Sequence, residues 1–123
     1  MMHVVLVGHC SPDAFMLKSM VGRVLPEATL HTVNDQASLD AVREDGAVWL
    51  VNRILDGLFD AGESGLDLIE ARVKSVPGAR VLLISDLAPH QETAESLGAR
   101  PGFGKKGLYE SESAHRLQSA AGH

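Results

Sequence analysis

The stretch Ala47-Val48-Trp49-Leu50-Val51-Asn52-Arg53 constrains this chain more than any other. It is a short apolar run, opened by Gly46 and closed by polar residues. A run of that length without polar alternation reads as a strand buried on both faces. Val4–Val7 and Val81–Ile84 have the same character, and Thr29–Val33 is a weaker version, interrupted by His31 and Thr32. Between these runs lie stretches with helical spacing. Phe15, Met16, Met20, Val21, Val24 and Leu25 predict one inward stripe. Leu39 and Val42 predict a short one over Ala37–Glu44, capped by Asn34 or Asp35. Leu66, Ile69 and Val73 predict a third over Leu66–Val76. Helices over Pro89–Leu97 and Ser111–Ala120 complete the series, with a glycine-rich strand at Pro101–Gly104 between them. Ser11-Pro12-Asp13 and Pro77-Gly78 supply start and stop signals.

Five alternations of strand and helix with short links imply a parallel sheet covered on both faces. The expected fold is therefore α/β, a flavodoxin-like three-layer sandwich. Its five-stranded parallel sheet should run in the order 2-1-3-4-5. The 123 residues form one expected domain, 1–123, large enough for a core without disulfides. Asn52 then falls at the carboxyl end of the central strand, the edge where such sheets place ligands and chemistry.

Charge and cysteine content narrow the partners. Net charge is −5 and the only adjacent cations are Lys105-Lys106, which argues against nucleic acid. No apolar run approaches a membrane span, and the start lacks the basic flank of a signal peptide. Cys10 is the single cysteine, which fits a reducing, cytoplasmic setting.

Several patterns in the chain bear on specific chemistry. Gly102-Phe103-Gly104-Lys105-Lys106-Gly107 spells a dinucleotide-binding pattern. It stands after the fifth strand, though, and lacks the following strand and acid that the motif needs. Asp56, Asp60 and Glu63 miss the spacing of a calcium loop. His9, Cys10 and Asp56 are the candidate metal ligands, suited to zinc rather than magnesium. Trp49 is expected in the core, and His3, His31, His90, His115 and His123 on the surface.

The order of these segments resembles a response-regulator receiver domain (the CheY-like family). The resemblance lies in Val4–Val7, the Asn34–Ser38 turn, Gly65-Leu66-Asp67-Leu68-Ile69, Val81–Ser85, Leu97-Gly98-Ala99 and Lys106. It implies a phosphoacceptor aspartate at the end of strand three and an acidic pair after strand one, together holding Mg²⁺. It also implies a hydroxyl residue after strand four and a lysine after strand five. Those positions are Asn52, Gly8 with His9, Ser85, and Lys106 with Lys105 as the alternative. Asn52 is neutral and Gly8-His9 brings no carboxylate, so the resemblance implies a pseudo-receiver. The expectation is a non-enzymatic signalling or protein-interaction module in a two-component setting, without cofactor and not phosphorylated at the usual site. Its partner would be a protein docked on helix four, strand five and helix five, with a second copy of the chain as a further candidate. The pocket should comprise Gly8, His9, Asn52, Arg53, Ser85, Asp86 and Lys106. The alternative is a small-ligand or metal-binding domain around His9, Cys10 and Asn52.

Overall fold

In a computed structural model, which describes residues 2–122, the chain forms one parallel sheet with helices on both faces. The elements are β1 (His3–Val7), α1 (Ser11–Val24), β2 (Thr29–Val33), α2 (Gln36–Ala41), β3 (Val48–Asn52), α3 (Gly65–Ser75), β4 (Arg80–Ile84), α4 (Ala88–Ser96), β5 (Arg100–Phe103) and α5 (Ser111–Ala120). Strand order is β2-β1-β3-β4-β5, and every neighbouring pair is parallel. The expected fold class and strand order are both observed. Strand and helix limits shift by a residue or two, except that α2 stops at Ala41 instead of Glu44.

Alternation along each strand divides the core in two. Val4, Leu6, Val48, Leu50, Leu82, Ile84 and Phe103 face α1 and α5. Val5, Val7, Val33, Trp49, Val51, Val81 and Leu83 face the other layer with Leu39, Leu68, Ile69 and Ala94. Trp49 is core, as expected, and the Arg72 guanidinium lies 4.0 Å over its ring. Burial of these aliphatic side chains, at roughly 25 cal/mol per Å² of apolar area, is the dominant stabilising term.

One helical stripe departs from the sequence expectation at its start, while Met20, Val21 and Leu25 are buried as expected. In α1 the buried residues are Ala14, Leu17, Met20 and Val21, while Phe15 is 74% exposed and Met16 lies at the surface. The helix begins at the carboxyl edge of the sheet. Both stand in the second turn, on the side of the helix away from Ala14, Leu17 and Val21. Small Ala14 takes the inward position instead.

The loop from Arg53 to Ser64 is firmly built. Leu55 and Phe59 are buried in the second core layer. Leu55 N–H donates to Glu63 O at 2.8 Å, and Asp56 N–H donates to Gly8 O at 2.9 Å. The Asn34 side-chain amide donates to the carbonyls of His9 and Asp56. Its acidic side chains stay at the surface, but its backbone is laced to the ends of β1 and β2.

Candidate functional site

The carboxyl edge of the sheet brings together the ends of β1, β3, β4 and β5. A cleft of about 400 Å³ opens there, lined by Asn52, Arg53, Ile54, Ile84, Ser85, Asp86, Leu87, Lys105 and Lys106. Of the expected pocket residues, Asn52, Arg53, Ser85, Asp86 and Lys106 border this cleft. Gly8 and His9 do not, because the long loop covers them.

Position 8 is a glycine for a local reason. It has φ +73°, and a Cβ there would stand 2.7 Å from Leu55 Cδ2 and 3.1 Å from Leu55 Cα. A carboxylate side chain at this position would carry left-handed backbone strain and collide with the loop. His9 is only 2% exposed and turns into the protein, where its Nε2–H donates to Leu50 O at 2.8 Å. Nδ1 is buried and meets no hydrogen-bond partner among the described residues. Burial lowers the His9 pKa from 6.5 to about 4. The nearby Lys105 charge pushes the same way, against the Leu50 bond and Asp13. The imidazole is therefore neutral at pH 7 and serves as an internal donor to the sheet.

The candidate ligand set His9, Cys10 and Asp56 is not assembled. Among the described residues, the His/Cys/Asp/Glu group close enough to share an ion lies elsewhere, at His3, His31 and Glu44. His9 spends one nitrogen on Leu50, and its neighbour Cys10 hydrogen-bonds Asp13. Asp56 sits on the outside of the covering loop. His3 and His31 are paired and half-buried instead of separate at the surface. His90 approaches Ser85 Oγ at 3.4 Å, and His123 lies outside the described residues.

Asn52 is the hub of the cleft. Its Nδ2 donates to Gly8 O at 3.0 Å and to Ile54 O at 2.8 Å, which leaves Oδ1 facing the cleft. The ammonium that meets Oδ1 belongs to Lys105, at 3.3 Å, and the same Nζ sits 2.6 Å from Asp13 Oδ2. Lys106, the residue first expected there, points its side chain to solvent and donates only its backbone N–H to Asp86 Oδ1. The reason is local. β5 ends at Phe103, and a single 3₁₀ turn over Lys105–Gly107 follows, which aims the first lysine inward. Lys105 hydrogen-bonds the Asp13 carboxyl and holds its pKa below the usual carboxylate value. Ser85 Oγ accepts from Leu87 N–H at 3.2 Å.

Magnesium does not fit these residues. It asks for oxygen ligands in octahedral array. Of the carboxylates near the hub, Asp13 is held by Lys105, and Asp86 accepts from Lys106 N–H. Asn52 offers one neutral oxygen, also on Lys105, and Gly8-His9 offers no side-chain oxygen. An internal ammonium thus occupies the electrostatic position of a cation.

No protein-family model matches the sequence, and no curated protein matches it. Solved structures do. The signal receiver domain of a DNA-binding response regulator (merR) from Colwellia psychrerythraea 34H is 18% identical, with TM-score 0.70 over 99% of this chain and 98% of that one. A response regulator receiver protein from Pseudoalteromonas atlantica is 18% identical, with TM-score 0.71 over 99% and 98%. The receiver domain of NtrX from Brucella abortus is 20% identical, with TM-score 0.68 over 98% of each. The chain therefore has the flavodoxin-like fold of response-regulator receiver domains.

Proposed function

We propose that residues 1–123 form a receiver-like signalling module that works through protein contact and takes no phosphoryl group at the end of β3. The single observation that carries this reading is the Asp13–Lys105–Asn52 chain of contacts. Phosphoryl transfer to a protein needs an attacking oxygen and neutralisation of the phosphoryl charge. Asn52 offers an amide where a carboxylate would attack, and Lys105 is held between two oxygens in place of a metal ion. The module is non-catalytic on this account; the Ser85 hydroxyl, 3.4 Å from His90 Nδ1, also accepts from Leu87 N–H.

The exposed large apolar side chains support a protein-facing surface. Phe15, Ile54, Leu58, Leu87 and Tyr109 are all exposed, and each follows the carboxyl end of a strand. Leu58 and Tyr109 are both 83% exposed. This favours a partner, or a second copy of the chain, at the carboxyl edge over one confined to α4, β5 and α5. The β5 glycines also argue for that shift. A Cβ on Gly102 would stand 2.1 Å from Leu83 O, so the strand is close-packed and not adaptable. No helix among the described residues is long and apolar enough to cross a membrane. A cytoplasmic setting without nucleic-acid contact accords with this reading and with the net charge of −5.

The test is intact-mass spectrometry after incubation with acetyl phosphate and Mg²⁺. The unaltered protein should keep its mass. A hydroxylamine-labile phosphoryl adduct on any carboxylate of the cleft would overturn the reading.

A further inference from the structure

The geometry points to a divalent-metal site of the zinc class at the amino-terminal half of the sheet, formed by His3, His31 and Glu44. It lies away from the cleft around Asn52 and is independent of the receiver reading. β1 and β2 pair in parallel with His3 opposite Thr29 and Val5 opposite His31. His3 and His31 are therefore diagonal neighbours on one face of two adjacent strands. Their rings stack with centroids 5.1 Å apart, and His3 Nδ1 stands 2.9 Å from His31 Nε2. Glu44 Oε1 lies 3.8 Å from His3 Nε2. One donor atom from each of the three residues falls within 4.8 Å of the others.

The chain makes room for this cluster in a specific way. The same sheet face carries Val5, Val7 and Val33 under the helical layer. That layer is short here, because α2 ends at Ala41. Residues 42–44 then run on without helical structure and return Glu44 to the edge of the sheet. Two imidazoles are left half-buried on rigid strands, with a carboxylate on a loop that can close on them.

The donor chemistry selects the ion. Two imidazole nitrogens and one carboxylate oxygen are a set that zinc takes in four-coordinate sites, with a water or another ligand in the fourth position. Nitrogens bound to one tetrahedral zinc at about 2.0–2.1 Å stand about 3.3 Å apart. The 2.9 Å separation is made at His3 Nδ1, so binding there needs the ring stack to open and Glu44 to swing from His3 Nε2 toward Nδ1. Magnesium and calcium prefer all-oxygen shells and are disfavoured by the two nitrogens. Glu44 is about half exposed, so the fourth position faces solvent. Closure of the three ligands on an ion would tie β1, β2 and the α2–β3 connection together.

Untagged protein titrated with Zn²⁺ against a chromophoric chelator tests the assignment. The expected result is one zinc ion per chain with a micromolar or tighter dissociation constant. His31→Ala and Glu44→Gln should each weaken it at least about tenfold, while His115→Gln leaves it unchanged. Zinc should also raise the thermal unfolding midpoint of the unaltered protein but not of folded His31→Ala. Circular dichroism establishes that the variants fold. Absence of binding below millimolar zinc would overturn the site. So would binding that survives His31→Ala and is lost in Cys10→Ser, which would move the ion to the strand-end pocket.

Discussion

His9 ties the end of β1 to the sheet as a neutral donor, and this makes stability depend on pH. Its folded pKa is about 4 against 6.5 for an unburied imidazole. Between these values the unfolded chain binds a proton that the folded chain refuses. Stability is therefore complete above pH 6.5 and is lost as pH falls toward 4. The full difference corresponds to about 3 kcal/mol. His9→Gln keeps a donor for Leu50 O and removes the titration. Urea denaturation at pH 7 and pH 4.5 should show a smaller loss of stability for the variant than for the unaltered protein. Equal losses would place the titration elsewhere. The burial of His9 was not legible in the sequence, because a histidine after a strand is as compatible with an open pocket as with a buried bond. The choice of Lys105 over Lys106 was equally hidden. It depends on the 3₁₀ turn after Phe103, and two adjacent lysines carry no signal of which one faces inward.

At the scale of elements, the start of α3 is pressed against the end of β3. A Cβ on Gly65 would stand 1.9 Å from the Asn52 carbonyl oxygen, and Gly65 N–H donates to Arg53 O at 2.7 Å. The contact is with backbone, so no side chain can swing away. Gly65→Ala should destabilise the protein by about 1–3 kcal/mol, despite alanine's better helix propensity. Equilibrium denaturation checks the sign. A stabilised variant would mean that α3 can slide away from β3. The strands were the most legible elements, since continuous apolar runs such as Val81–Ile84 have little else to be in an alternating chain. Helix phase was less legible. Phe15 and Met16 dominate any reading of α1 by size, whereas burial follows the face of Ala14, Leu17 and Val21 that meets the sheet. The acids Asp56, Asp60 and Glu63 give no sign that the Arg53–Ser64 loop is anchored in the core by Leu55 and Phe59.

The whole molecule joins a five-stranded receiver-type sheet to a carboxyl edge whose central ammonium, Lys105, is held by Asp13 and Asn52. The fold could be read from alternation and chain length, because parallel strands require crossovers and short links leave few topologies. The chemistry of the edge depends on which side chains the loops turn inward, and that needed the structure. Restoring the missing acids is not a simple substitution. Position 8 is hemmed in by Leu55, and position 9 is buried. A carboxylate at position 52 alone would meet Lys105, whose ammonium already holds Asp13. The most direct test is therefore intact-mass spectrometry of Asn52→Asp after incubation with acetyl phosphate and Mg²⁺. The variant should keep its unmodified mass, as should the unaltered protein. Rapid, stoichiometric phosphorylation at residue 52 would contradict the account, because it would show that the cleft can assemble a working metal site despite Lys105.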